Sequence, residues 1–66
     1  MNQAQKIFKS NTSFESCELA ARNECVSYDD TEEAGVCIYI FEDGSKLKRQ
    51  IMASACEDDS YIKVVT

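Results

Sequence analysis

The chain has no histidine, no proline and only two glycines, and its cations are outnumbered. Most of these scarcities remove a class of function. Without histidine there is no imidazole for a structural zinc and no partner to activate a cysteine or serine nucleophile. The four cysteines, Cys17, Cys25, Cys37 and Cys56, lie 8, 12 and 19 positions apart, so no C-x-x-C pair exists either. No serine stands in a nucleophile-elbow pattern, and no glycine-rich loop is present to cradle phosphate. The acidic runs lack the D-x-D-x-D-G order and distal Glu of a calcium loop. Clustered carboxylates alone do not make an acid–base catalyst, because one of them must be desolvated and the turns of a small domain leave them in water. The chain reads as a non-enzymatic protein with no cofactor and no metal.

Long hydrophobic stretches are missing as well. The longest apolar run, Val36-Cys37-Ile38-Tyr39-Ile40-Phe41, has six residues, far short of the ~20 that a membrane-spanning helix needs. Met1 to Lys9 lacks the apolar core of a secretory leader. A cytoplasmic address with reduced thiols is expected, and there the cysteines read as small buried hydrophobes. Native disulfides and redox roles are the alternatives. A helix running through both Cys17 and Cys25 would hold them ~12 Å apart along its axis, too far to bridge.

What is present suits one small folded domain over residues 1–66. The chain has 66 residues and a hydrophobic content of 44%. A domain of that size buries only ~60% of its unfolded surface. Val36 to Phe41 is the clearest strand signal, apolar on both faces, and Asp43-Gly44 directly after it signals a tight hairpin turn. Gln5 to Ser10 is read as a short edge strand marked by Lys6 and Lys9, behind a loose end at residues 1–4. Thr12-Ser13-Phe14-Glu15 fits a capping box, with Ser13 as the competing cap. A helix is expected from about Ser13 to Glu24, its apolar stripe formed by Phe14, Cys17, Ala20 and Ala21. Glu18 and Arg22 pair four residues apart on its solvated side. Leu19 lies off the stripe, over the sheet rim or against a partner.

Further strands are expected at Cys25–Tyr28, Val36–Glu42, Ser45–Ser54 and Ser60–Thr66. In the third of these Leu47, Ile51 and Ala53 alternate with Lys46, Lys48, Gln50 and Met52, and Arg49 falls on the apolar parity, either snorkelling at the rim or marking a bulge. The fold class is α+β: one helix packed on a small, mostly antiparallel sheet, in the order β-α-β-β-β-β. The first strand is expected to dock beside the fifth.

Charge order makes this topology informative. Twelve acids face seven cations, a formal net charge of -5. Alternating strand directions bring the 29–33 and 57–59 connections to one end. Asp29, Asp30, Glu32, Glu33, Glu57, Asp58 and Asp59 would gather there, seven of the twelve acids. Such an end repels a phosphate backbone, so neither direct nucleic-acid binding nor a membrane partner is expected. It complements a basic groove, including one on a larger protein or ribonucleoprotein that normally holds nucleic acid. A tyrosine beside it would supply affinity: Tyr28, Tyr39 or Tyr61.

In its size, acidity, single helix on a small sheet and lack of a catalytic motif, the whole chain resembles the small acidic inhibitors encoded by phages and mobile elements, of which anti-CRISPR proteins are the best example. That resemblance implies a protein-binding inhibitor that blocks nucleic-acid binding by a larger complex, and it carries over no individual residue. The alternative is a small assembly module, homodimeric through an edge strand such as Ser60 to Thr66. A monomer is favoured slightly.

Overall fold

A computed structural model describes residues 1–31, 33–51 and 60–65. Among them the chain runs α1 (Gln3–Ser10), α2 (Phe14–Glu24), β1 (Ser27–Asp29), β2 (Val36–Ile40), β3 (Lys46–Gln50) and β4 (Tyr61–Val64). The strands form one antiparallel meander in the order β1-β2-β3-β4. The class is α+β, but the first element is a helix and not a strand, so the fold carries two helices among the described residues. The expected Met52–Ser54 end of the third hairpin strand, the 55–59 connection and Cys56 lie outside the described residues.

The reason for the helix lies in the residues expected to be loose. Asn2 caps α1: its Oδ1 accepts from the Gln5 N–H at 2.9 Å, and the Gln5 side chain accepts from the Asn2 N–H at 3.1 Å. That reciprocal box satisfies two helix-end donors at once. Ala4 and Ile7, three apart, are buried on one face, while Lys6 and Lys9 are exposed. Asn11 closes the other end by donating from Nδ2 to the Ile7 carbonyl at 2.8 Å. Residues 2–4 are therefore ordered. Helix α1 packs against β4, the strand beside which a first strand had been expected to pair.

The cap of α2 is Ser13 rather than Thr12, with the Ser13 hydroxyl accepting from the Ser16 N–H at 3.1 Å. Cys17 and Ala21 face inward, as the stripe requires. The two helices cover one face of the sheet. Their core partners are Cys37, Tyr39, Phe41 and Leu47, with Ile62 and Val64 at its margin. Phe41 and Leu47 are the largest fully buried side chains; burial of each contributes about 1.5–3 kcal/mol.

The β2–β3 connection is a three-residue loop, Glu42-Asp43-Gly44, closed by the Phe41 N–H on the Ser45 carbonyl at 2.9 Å. Only Gly44 takes a positive φ there, +86°, so the expected hairpin turn is made as a type I turn with a glycine bulge rather than as a primed turn. This loop also anchors α1. Asp43 Oδ2 accepts from the Gln3 N–H at 2.7 Å, and the buried Ser45 Oγ accepts from the Ala4 N–H at 3.0 Å. The carboxylate therefore sits at the positive end of the α1 dipole.

Candidate functional site

Three surface regions could carry chemistry, and strand register places each. The first is the free edge of β1. Tyr28 pairs with Tyr39 and Asp29 with Ile38. The outer side of β1 has no strand neighbour among the described residues, and Tyr28, with Val26 just before the strand, is exposed at 64% and 63%. Asp29 closes the strand with an Asx-type turn: its Oδ1 accepts from the Thr31 N–H at 3.0 Å and from the Thr31 hydroxyl at 2.7 Å. Those two donors, the backbone N–H foremost, hold the carboxyl below its ordinary value. Asp30 and Glu33 follow, both exposed. Among the described residues Asp29, Asp30 and Glu33 make no ion pair.

Of the residues expected at the acidic end, Tyr28, Asp29, Asp30 and Glu33 thus share one corner of the sheet. Glu32, Glu57, Asp58 and Asp59 lie outside the described residues. The register shows that β1 ends and β4 begins at the same end of the sheet, through the row Val36–Gln50–Tyr61. Tyr61 is on the opposite edge strand, ~14 Å away across three strand spacings. By register it also points to the other face of the sheet from Tyr28, so the two tyrosines do not form one patch.

The second region is a shallow cleft of about 260 Å³ beside α2, lined by Arg22, Tyr28, Asp30, Cys37, Tyr39 and Arg49. Arg49 sits in a regular ladder between Cys37 and Ile62, with no bulge. It reaches under α2 to Glu18 Oε2 at 3.4 Å and to the Tyr39 hydroxyl at 3.5 Å. Glu18 also accepts from Arg22 at 3.2 Å. One carboxylate thus serves two guanidiniums, while Arg49 Nε is buried without a hydrogen-bond partner. Burial pushes both the Cys37 thiol and the Tyr39 phenol up, so both stay protonated at neutral pH. The cleft mixes both charge signs and has no activated nucleophile.

The third region went unread in the sequence. No described helix or strand packs on the other face of the sheet. The residues of β2 and β3 that do not point to the helices are Val36, Ile38, Ile40, Lys46, Lys48 and Gln50, joined by Ser27 and Asp29 of β1 and by Tyr61 and Lys63 of β4. Lys48 stands directly opposite Lys63.

No family model matches the chain, and no curated protein or solved structure does either. Function must then be argued from these surfaces alone. The first suits docking to cations, and the second is a structural ion-pair cluster at the helix–sheet interface. The third presents ammonium groups beside aliphatic side chains. No helix among the described residues is long and apolar enough to cross a membrane.

Proposed function

We propose that this chain is a protein-binding inhibitor that sets its acidic β1 corner against a basic, nucleic-acid-binding surface of a larger protein, in the manner of the anti-CRISPR-type inhibitors it resembles. The observation that carries the reading is the edge strand β1, without a strand neighbour on its outer side among the described residues, where Tyr28, at 64% exposure, lines one cleft with Asp30 and Asp29 follows on the opposite face. An exposed aromatic beside unpaired carboxylates combines an anchor with an electrostatic guide. Asp29 is held ionised and oriented by Thr31 before any partner arrives, which lowers the ordering cost of docking.

The test compares wild-type protein with the D29N/D30N/E33Q variant and with Tyr28→Ala. Each is immobilised in a host lysate and eluted with rising salt. The wild type should retain a nucleic-acid-binding protein, and soluble chain should then displace nucleic acid from that protein once it is purified. The triple variant should release it at lower salt, and loss of the anchor should weaken binding by about 30-fold or more, the effect of one central aromatic. Retention unaffected by either variant, or a partner that keeps its nucleic acid, refutes the reading.

A further inference from the structure

The face of the sheet on which no described helix or strand packs carries a charge conflict. Lys48 and Lys63 are directly opposed on neighbouring strands, and Lys46 lies two residues from Lys48 on the same strand and face. Directly opposed side chains have Cβ atoms ~5 Å apart, and residues two apart on a strand are ~7 Å apart. Three ammonium groups therefore share a patch of that size. Opposed like charges destabilise an antiparallel pair. Among the described residues the ion pairs are Glu18–Arg22 and Glu18–Arg49, both on the helix side, so none of the three lysines makes an ion pair there, and the carboxylate of this face, Asp29, stands two strands from Lys48. Beside them on β2 lie Ile38 and Ile40, each half-buried, with no described helix or strand packed over them.

We infer that this face binds an acidic, amphipathic polypeptide segment of a partner protein. Two or three carboxylates of the segment would meet Lys46, Lys48 and Lys63, and its aliphatic side chains would lie on Ile38 and Ile40. The extent of the patch selects a short acidic segment over nucleic acid. Glu42 and Asp43 stand beyond one end of the strands, Asp30 and Glu33 beyond the other, and Asp29 lies at the β1 edge of this same face, in the row Asp29–Ile38–Lys48–Lys63. A long phosphate backbone laid along the lysines would run into carboxylates at both ends, in a chain whose net charge is already -5. A few carboxylates fit between those limits. This surface meets the β1 corner at Asp29 but does not depend on that corner's role.

The experiment uses three dye-labelled probes in fluorescence anisotropy: an amphipathic peptide of about 12 residues with a leucine face and a glutamate flank, its glutamine counterpart, and a single-stranded oligonucleotide of matched length. The acidic peptide should bind the full chain, the glutamine peptide and the oligonucleotide at least about tenfold more weakly, and salt should weaken the acidic complex. The K48Q/K63Q variant should lose about tenfold in affinity for the acidic peptide, two surface charge contacts being removed. The single variant Lys48→Gln should also unfold at a higher temperature than wild type, because the opposed pair is relieved. The D30N/E33Q variant, changed only outside this face, should bind the acidic peptide as wild type does, which keeps this result distinct from the β1 reading. Equal binding of the glutamic and glutamine peptides, a preference for the oligonucleotide, or an affinity unchanged in K48Q/K63Q overturns the inference.

Discussion

Gly35 and Gly44 offer a test in which one chain supplies its own control. Both adopt the left-handed region, at φ +80° and +86°, and both sit where a connection meets a strand. Replacing either by alanine forces an L side chain into that region, which costs about 1–2 kcal/mol. At Gly44 nothing more is added, because a Cβ there would meet no atom within 4 Å. At Gly35 the new Cβ would lie 2.6 Å from the carbonyl oxygen of Ile51, a backbone atom. That oxygen is not free to withdraw, since the Ile51 N–H donates to the Gly35 carbonyl at 2.9 Å. Opening the contact loosens a hydrogen bond worth about 0.5–1.5 kcal/mol, with backbone distortion in addition.

Gly44→Ala should therefore cost about 1–2 kcal/mol from the left-handed conformation alone. Gly35→Ala should cost about 2–4 kcal/mol once the clash and the loosened hydrogen bond are added. A chain of 66 residues has a total stability of about 3–10 kcal/mol, so the second variant approaches the unfolding threshold. Urea denaturation followed by circular dichroism measures both, with midpoints compared at equal slope. Asparagine separates the two causes, since it tolerates the left-handed region but still carries a Cβ. Gly44→Asn should recover much of the loss and Gly35→Asn little of it. Equal costs for the two alanine variants, or full recovery by asparagine at position 35, would refute the steric argument.

Three further outcomes are expected. Ser45→Ala removes the acceptor of the buried Ala4 N–H and should cost about 1–3 kcal/mol, lowering the melting temperature by about 4–8 °C per kcal/mol; an unchanged melting temperature would show that the loop does not anchor α1. Asp43 is held below its ordinary 3.8 by the Ser45 hydroxyl first, then the Gln3 N–H, so the unfolded chain binds the proton more readily. Its stabilisation is then complete above about pH 4 and is lost as pH falls through the folded value; melting temperature should drop below that pH, and Asp43→Asn should flatten the drop. Burial pushes the Cys17 and Cys37 thiols up, so both should resist alkylation in the native protein and react once it is unfolded in urea; rapid native labelling, read by mass spectrometry, would contradict their burial.

The central hairpin and α2 were legible because their signals have no competitor. Val36 to Ile40 is too short and too β-branched to be a helix, and Gly44 marks its turn. Helix α1 was misread because Ile7-Phe8 between two lysines fits either period. The deciding residues are further out: Ala4 completes an i, i+3 pair with Ile7, and Asn2 with Gln5 forms a cap in which neither is Ser or Thr. Arg49 was legible only by parity. Its position on the helix face follows from alternation, but its partner Glu18 is 31 residues away and was assigned to Arg22 alone. A cation on the covered face could have prompted a search for an acid on the helix above it.

The lysine face shows the same limit more sharply. Alternation along β3 already puts Lys46 and Lys48 on the side away from Leu47. That Lys63 meets Lys48 depends on the β3–β4 register, and the ten residues between Gln50 and Tyr61 leave the register open to the eye. Net charge misleads for a related reason. It sums groups over the whole surface, whereas a docking segment feels mainly charges within a Debye length, ~10 Å at ordinary salt. This antiparallel meander sorts most of its charges: Asp30, Glu33, Glu42 and Asp43 lie in the connections at the strand ends, and three lysines, with Asp29 at the edge, lie on the side of the strands away from the helices. A chain with net charge -5 thus gathers three lysines on the sheet face that no described helix or strand covers. Binding by the acidic corner and by the lysine face both weaken with salt, so salt alone does not assign an interaction to either. Side-chain neutralisation does: a complex that survives D29N/D30N/E33Q and fails in K48Q/K63Q uses the face, and the reverse pattern places it at the corner.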